Sequence, residues 1–320
     1  MEKEMSEKVS IIIPNYNRAH LILHTLKSIK NQDYLNWECL IIDDHSADNS
    51  IEVISGFIKD DKRYSLYIRP KNRSKGANAC RNYGFELSEG FYVQWFDSDD
   101  IMLHNHLHSL IQAIRNNEAD FAVGDSYNFI EGKGLIGKPY NFDRQESIIN
   151  ASNFGKQAIG WITDDFLGKR EILKKIKFNE SLSDGDEYNL FTQLLHENNN
   201  GVFVNTILSY RRLHRQTLSN REGLSDMEYY IKIATIKYLT FQDIKKYKNK
   251  ELLCWFLSGY MQYSFKICLE GGFPPFFANS IPKISNYFSQ TQTANFIAAI
   301  GLGKITGRGY KFLKKAIRYR

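Results

Sequence analysis

The sequence predicts an α/β fold in which a mostly parallel sheet is flanked by helices and followed by a C-terminal helical region. Apolar strand-like runs and amphipathic helical segments alternate about every 25–30 residues in the first part of the chain, which is typical of βαβ units. From about Ser225 onward the pattern is helical throughout. With 320 residues, 42% of them hydrophobic, the chain can build a large core.

Each predicted element has its own pattern. The first strand, Val9–Pro14, is a β-branched apolar run of the kind buried on both faces of a parallel sheet. The helix after it places Ile22, Leu26 and Ile29 on one face. The predicted elements are, in order, strand 9–14, helix 19–31, strand 38–42, a helix from 49, strand 65–69, helix 74–89, strand 91–96, helix 101–116 and strand 119–124.

Polar clusters follow three of these strands. They are Asn15–Asn17, Asp43–Asp44 and Asp97–Asp100. Because the carboxyl ends of parallel strands meet at one edge of a sheet, where α/β proteins bind their ligands, we expect the three clusters to form a single site.

The segment Asp97–Asp100 places three carboxylates around one serine. Their mutual repulsion is relieved by a divalent cation, and carboxylate oxygens are the ligands that Mg²⁺ and Mn²⁺ prefer. The alternative is that one of these residues only caps the predicted helix 101–116. A cap uses one side chain, whereas the segment offers four.

The positive charge of the chain is concentrated near its end. The net charge is +6, and residues 304–320 hold seven basic side chains and no acid, so the rest is near neutral. This distribution argues against a nucleic-acid partner. The charged start predicts no secretory signal, and four scattered cysteines predict reduced thiols in a cytoplasmic protein. No segment is predicted to span a bilayer.

Other phosphate-handling α/β classes lack their motifs here. The first turn, Pro14–Arg18, has no glycine, and GxxxxGK[ST] and GxGxxG are both absent. P-loop NTPases, Rossmann dehydrogenases and the glycine-rich loop of sugar nucleotidyltransferases are therefore disfavoured.

Several segments together resemble family-2 glycosyltransferases of the GT-A type, which transfer a sugar from a nucleotide diphosphate sugar with inversion at the anomeric carbon. The segments are Val9–Asn17, Ile41–Ser46, Asn72 with Gly76, Cys80–Asn82, Phe96–Asp100, Phe178–Leu182 and Gly185–Tyr188. They cover about residues 9–220 in the expected order. The resemblance implies a Rossmann-like GT-A fold, a nucleotide diphosphate sugar donor, most plausibly a UDP-sugar, and Mn²⁺ or Mg²⁺ as cofactor.

The resemblance also implies how the nucleotide is bound. Tyr16 would lie against the base, beside Pro14, the alternative being a tyrosine packed on the sheet. Asp44 would accept a hydrogen bond from the base. Arg81 fits either a diphosphate contact or an ion pair with the acidic rim, and Arg212 would bind phosphate.

For the cation, the resemblance implies Asp99 as main ligand, with Asp97 and His214. Asp97 fits either the cation or the ribose, and a structural histidine is the alternative for His214. The segment Arg212–Ser219 resembles the family's Arg-x-His-x-x-Ser-x-Ser, with Thr217 in place of the first serine.

The pair Asp186-Glu187 matches the position of the family's general base, which takes the proton of the acceptor hydroxyl. The pattern in the family is Gly-Glu-Asp-aromatic, whereas this chain reads Gly-Asp-Glu-Tyr. Glu187 occupies the base position, and Asp186 remains a second candidate. Without the resemblance, two acids beginning a helix would be an equally good interpretation. Trp161 fits either an acceptor wall or a core tryptophan.

The basic tail has an apolar stripe opposite its lysines, which is typical of a helix lying on an anionic membrane surface. The stripe comprises Ile305, Phe312, Leu313, Ala316 and Ile317. The alternative is a terminal helix packed on the protein body. A lipid-linked saccharide acceptor would explain membrane contact, at the inner face of the plasma membrane.

These expectations combine into a domain plan. Residues 1–222 would form the glycosyltransferase domain, with a nucleotide-sugar half at about 1–124 and an acceptor and base half at about 125–222, and 223–320 the helical region. The expected function is sugar transfer to a saccharide or lipid-linked saccharide in surface polysaccharide biosynthesis. Two alternatives are a sugar nucleotidyltransferase and a non-catalytic nucleotide-sugar-binding protein.

Overall fold

The computed structural model describes residues 7–214 and 224–318. The chain divides into two compact units, 1–217 and 218–320. The first unit is α/β and the second is helical.

The first unit contains nine strands and seven α-helices among its described residues. The strands are β1 (Val9–Asn15), β2 (Trp37–Asp43), β3 (Tyr64–Ile68), β4 (Tyr92–Trp95), β5 (Ile101–Met102), β6 (Phe121–Ile130), β7 (Gly134–Gly137), β8 (Phe166–Lys169) and β9 (Gly201–Arg212). The helices are α1 (Ile22–Lys30), α2 (Ser50–Ile58), α3 (Ala77–Leu87), α4 (His106–Asn116), α5 (Ala151–Gly155), α6 (Arg170–Leu173) and α7 (Asp186–Glu197).

All nine strands belong to one sheet, in the order β3-β2-β1-β4-β8-β6-β9-β5, with β7 paired to β6. The strands β3, β2, β1 and β4 are parallel to one another, and β6 is parallel to β9 over a long register. Strand β8 is antiparallel to both β4 and β6. The register pairs Asn15 with Asp43, so the ends of β1 and β2 lie side by side.

The predicted α/β fold with a mostly parallel sheet flanked by helices and C-terminal helices is confirmed. Strand β1 is fully buried, as its β-branched pattern predicts, and its odd residues pack with Ile22, Leu26 and Ile29 of α1. One element differs: Ile101–Met102 is a short strand paired with β9, so the helix predicted from 101 begins only at His106. Tertiary pairing with β9 overrides the helical periodicity there.

The second unit consists of α8 (Asp226–Ile244), α9 (Lys250–Leu269), α10 (Phe277–Tyr287), α11 (Gln290–Thr306) and α12 (Tyr310–Ala316). Capping boxes begin two of them, Ser225 with Glu228 at α8 and Ser289 with Gln292 at α11. Its core is rich in aromatic residues, including Phe256, Tyr260 and Phe296. Within the described ranges, every helix is too short or too polar to cross a membrane.

Candidate active site

The site lies where β1, β2 and β4 end. The Asn15 side-chain amide donates to Asp43 Oδ2 at 2.8 Å, and the Asp44 backbone N–H donates to the Asn15 carbonyl at 2.8 Å. Asp97–Asp100 follows β4 directly. The three polar clusters that the sequence predicts at one rim therefore follow neighbouring parallel strands.

The segment Asp97–Asp100 is fixed by contacts from distant parts of the chain. The Asp97 backbone N–H donates to Asp164 Oδ1 at 3.0 Å. Arg212 donates its backbone N–H to Asp100 Oδ1 at 2.7 Å and its Nε to the Asp99 carbonyl at 2.9 Å. Helix α4 begins at His106, with Asn105 as the flanking residue, so the alternative that Asp97–Asp100 caps this helix is wrong.

Asp99 is held by two cationic or hydrogen-bonding partners on one oxygen. His214 Nε2 lies 2.9 Å and Arg18 Nε 3.1 Å from Asp99 Oδ2. Since a carboxylate oxygen only accepts, His214 Nε2 carries the donated proton. Burial alone would raise the pKa of Asp99, but the hydrogen bond from His214 and the charge of Arg18 outweigh it and lower the pKa.

A second carboxylate group lies deeper. One oxygen from each of Asp97, Asp100 and Asp164 falls within 4.8 Å of the others. Asp100 and Asp164 are buried, and Asp164 Oδ2 has no hydrogen-bond partner. Burial, followed by the charges of neighbouring carboxylates, raises the pKa of both Asp100 and Asp164 well above the usual value. Such a cluster retains protons or holds a cation.

Arg81 joins the two motifs that are remote in sequence. Its buried guanidinium donates through Nη2 to Asp97 Oδ1 at 2.7 Å and through Nη1 to Asp186 Oδ2. Asn78, one turn earlier on α3, accepts from Arg81 Nη1 at 3.2 Å and donates to the carbonyl of Leu182 at 2.8 Å. These hydrogen bonds hold the start of α7 at the rim of the sheet.

Asp186 and Glu187 form the first turn of α7, whose N-terminus favours negative charge. Burial, then the charge of Asp186 and a hydrogen bond with it, raise the pKa of Glu187 well above the usual value. Glu187 in turn is close enough to Tyr140 to contribute, after burial, to a raised pKa of that phenol. The first turn of α7 thus brings two neighbouring carboxyl groups to the rim.

Arg211, on β9, faces both carboxylate groups. Burial lowers the pKa of its guanidinium, but the charges of Asp100 and Glu187, among others, raise it overall. The sequence motifs do not predict Arg211, Asp164 or Arg18 as site residues. The acid pair Asp164-Asp165 inside the apolar run 159–167 was the available signal, because buried acids require partners.

Just after β1, Tyr16 is 40% exposed, with Lys75 Nζ 4.3 Å from its ring centroid. Asp44 is buried, paired with Arg69, and its Oδ2 accepts from the Gly76 N–H at 2.8 Å. Pro14 is buried in β1. The predicted roles of these residues in binding the base stay predictions.

Two further residues have buried positions. Arg212 contacts the Asp99 and Asp100 segment and pairs with Glu131, so its predicted phosphate contact stays a prediction. Trp161 is fully buried against Phe154 and Phe191, so it is a core tryptophan. Thr217 and Ser219 lie outside the described residues.

Comparison with known proteins identifies a family. Residues 10–177, more than half of the chain, match the family model Glycosyl transferase family 2. The Escherichia coli UDP-Glc:alpha-D-GlcNAc-diphosphoundecaprenol beta-1,3-glucosyltransferase WfgD is 30% identical over 215 residues, covering 67% of this chain and 80% of that protein. The Campylobacter jejuni GalNAc(5)-diNAcBac-PP-undecaprenol beta-1,3-glucosyltransferase is 27% identical over 77% of this chain and 75% of its own length.

Coverage differs among relatives. The match to glycosyltransferase GlyG of Streptococcus pneumoniae, at 34% identity, spans 41% of this chain and 42% of that protein. Among solved structures, Staphylococcus aureus TarS 1–349 in complex with UDP-GlcNAc superposes with a TM-score of 0.63 at 16% identity, over 97% of this chain and 89% of that one. At this identity the likeness establishes the fold.

Proposed function

The chain belongs to glycosyl transferase family 2, and we propose that it is an inverting, metal-dependent glycosyltransferase that moves a sugar from a UDP-sugar to a saccharide or lipid-linked saccharide in surface polysaccharide biosynthesis. The observation that carries this proposal is the bridge made by Arg81 between Asp97 and Asp186, whose Nη2–Oδ1 contact with Asp97 is 2.7 Å. This bridge supports a single site that holds both the donor and the general base and is built from segments far apart in sequence.

In this proposal the donor lies along the rim. Tyr16 lies against the base with Pro14 nearby, Asp44 accepts a hydrogen bond from the base, and Asp97 faces the ribose or the cation. Arg81 supplies positive charge between the donor and the general base. Arg212, which holds the segment after β4, would contact phosphate if its ion pair with Glu131 opens. Most of unit 1 before 125 would thus serve the nucleotide sugar, and 125–222 the acceptor.

The donor set around Asp99 fits a divalent cation. Asp99 Oδ2 and His214 Nε2 lie 2.9 Å apart. Carboxylate is a suitable ligand for Mn²⁺, and so is the imidazole once Nε2 gives up its proton. Asp99, His214 and Asp97 would hold Mn²⁺ or Mg²⁺, which when bound offsets negative charge on the leaving diphosphate. The cluster Asp97, Asp100 and Asp164 is the second candidate, favoured by the unpartnered Asp164 Oδ2.

Glu187 is proposed as the base. It would take the proton of the acceptor hydroxyl while that oxygen bonds to the anomeric carbon and the bond to the diphosphate breaks. Asp186 is engaged by Arg81, which leaves Glu187 the less constrained carboxylate of the pair. Asp186 stays the second candidate.

The names of two relatives support the donor, acceptor and stereochemistry. WfgD is a UDP-Glc enzyme, and both it and the Campylobacter jejuni protein are beta-1,3-glucosyltransferases of undecaprenol-linked saccharides. Because UDP-glucose carries its sugar in α linkage, a β product requires inversion. The proposed place of action is the cytoplasmic face of the membrane.

Product analysis tests the proposal against its two alternatives. With UDP-glucose or UDP-GlcNAc, Mn²⁺ and a polyprenyl-diphosphate-linked saccharide, a glycosyltransferase releases UDP and extends the acceptor. A sugar nucleotidyltransferase would release pyrophosphate from UTP and a sugar phosphate. Stabilisation by donor without either product would identify a binding protein and contradict the proposal.

We expect Arg18→Gln to tighten Mn²⁺ binding in the absence of nucleotide. Arg18 Nε occupies Asp99 Oδ2 at 3.1 Å, so a cation ligated there must displace it. A partly exposed ion pair of this kind is worth about 1 kcal/mol, which corresponds to roughly fivefold in affinity. Titration of Mn²⁺ followed by electron paramagnetic resonance measures the effect.

Arg63→Gln is the matched control, since Arg63 Nη2 pairs with Asp61 at 2.8 Å elsewhere in the same unit, and it should leave Mn²⁺ affinity unchanged. Equal or weaker Mn²⁺ binding by Arg18→Gln would mean that Arg18 does not compete for the cation.

A further inference from the structure

The end of the second unit is rich in positively charged residues. From Gly271 to Arg320 the sequence contains eight lysines and arginines and neither Asp nor Glu. A run of this length without acids has no counter-charge of its own, so its partner is expected to be anionic.

The structure divides the predicted apolar stripe of the tail. Leu313 and Ala316 are buried, and Gln292 Nε2 donates to the Ala316 carbonyl at 3.0 Å, so this side of α12 packs on α11. The alternative, a terminal helix packed on the protein, therefore holds for Leu313 and Ala316, and membrane contact by the rest of the tail stays a prediction. Lys311, Lys314 and Lys315 occupy the remaining, solvent-facing side of α12.

Four large apolar or aromatic side chains are exposed beside these lysines. They are Leu269 (44%) at the end of α9, Phe273 (58%) in the loop after it, Ile305 (83%) near the end of α11 and Tyr310 (58%) at the start of α12. We name them, with Lys304, Lys311, Lys314 and Lys315, the basic aromatic face.

Short contacts join several members of this face. Lys304 Nζ lies 3.1 Å from the Gly272 carbonyl and 5.5 Å from the Phe273 ring centroid. Lys314 Nζ lies 5.0 Å from the ring centroid of Tyr310, whose ring is 6.4 Å from that of Phe265, one turn before Leu269. Phe273 and Tyr310, the two aromatic residues of the face, thus each have a lysine ammonium group beside the ring.

We propose that the basic aromatic face binds the surface of an anionic lipid bilayer. Lysine ammonium groups meet lipid phosphates while aromatic and aliphatic side chains enter the boundary of the acyl chains. A second copy of the chain would bring lysines against lysines, which disfavours self-association through this face. Nucleic acid would leave Ile305 and Leu269 unburied, so lipid is the partner that satisfies both the charge and the apolar side chains.

Co-sedimentation of the full chain with vesicles tests this surface. We expect binding to phosphatidylcholine vesicles containing phosphatidylglycerol and little binding to phosphatidylcholine alone. The triple variant Lys311→Gln, Lys314→Gln, Lys315→Gln should lower the partition coefficient at least about tenfold, since each surface lysine contributes separately. Phe273→Ser with Ile305→Ser should lower it about tenfold with the charge unchanged.

The matched control is Lys245→Gln, Lys246→Gln, Lys250→Gln, three exposed lysines that follow the C-terminal end of α8. These lysines lie away from the basic aromatic face, because it is the opposite end of α8, its first turn, that approaches the face. There, Met227 Sδ would lie 2.9 Å from a Cβ atom built on Gly272, next to Phe273. Parent-like binding by this control supports the proposal. Equal loss in both triples, no binding to anionic vesicles, or a change of the oligomeric state on light scattering instead would overturn it.

Discussion

Glu187→Gln is expected to lower turnover by about 10²- to 10⁴-fold, the usual contribution of a positioned general base. Glutamine keeps the shape of the side chain and cannot accept a proton. The substitution leaves Tyr16, Asp44 and Asp97, the residues proposed to bind the nucleotide, unchanged. Binding of the UDP-sugar, measured by calorimetry, should therefore stay near that of the parent.

Asp186→Asn separates the two candidates for the base. If Glu187 is the base, this substitution removes one of the causes that raise its pKa, after burial. The acid limb of kcat/KM should then move to lower pH, because the free enzyme's base deprotonates more readily. Loss of turnover in Asp186→Asn with activity kept in Glu187→Gln would assign the base to Asp186. Near-parental activity of both variants would remove the base from this pair.

Asp99→Ala is expected to reduce metal-dependent transfer at least about 100-fold, since a cation at the leaving diphosphate contributes several kcal/mol to the transition state. Activity is measured across a Mn²⁺ titration, and Mn²⁺ binding in parallel. Asp60→Ala, at an exposed aspartate after α2, is the control and should behave like the parent. Parent-like Mn²⁺ binding by Asp99→Ala, with loss in Asp164→Asn, would move the cation to the Asp97, Asp100 and Asp164 cluster.

Local patterns were sufficient for the architecture of the first unit. β-branched runs such as Val9–Pro14 are typical of buried strands, and parallel strands bring their carboxyl ends to one edge. The meeting of Asn15, Asp43 and the segment after β4 at one rim follows from these two rules alone.

The contacts within the rim depend on tertiary structure. Asp164 reaches Asp97 from a 3-10 turn before β8, in a part of the chain with little periodicity. Arg18 meets Asp99 across 81 residues, and no spacing rule connects them. For this reason the sequence predicts the segment Asp97–Asp100 as a cation site but does not predict every side chain that surrounds the cation.

The second unit shows the same limit. An apolar stripe on a helix indicates that one side is covered, but the periodicity does not say by what. In α12 the covering element is α11, and the exposed side chains of the basic aromatic face come from three helices and the loop after α9. That arrangement becomes visible only when the helices are packed.

Anomalous diffraction at the manganese edge from crystals grown with UDP and Mn²⁺ tests the central claim most directly. We predict one manganese ion ligated by Asp99 and His214 on the diphosphate of UDP, with Arg18 withdrawn from Asp99 and Arg81 still between Asp97 and Asp186. Manganese between Asp100 and Asp164 with the Arg18–Asp99 pair intact, or UDP bound away from this rim, would contradict it.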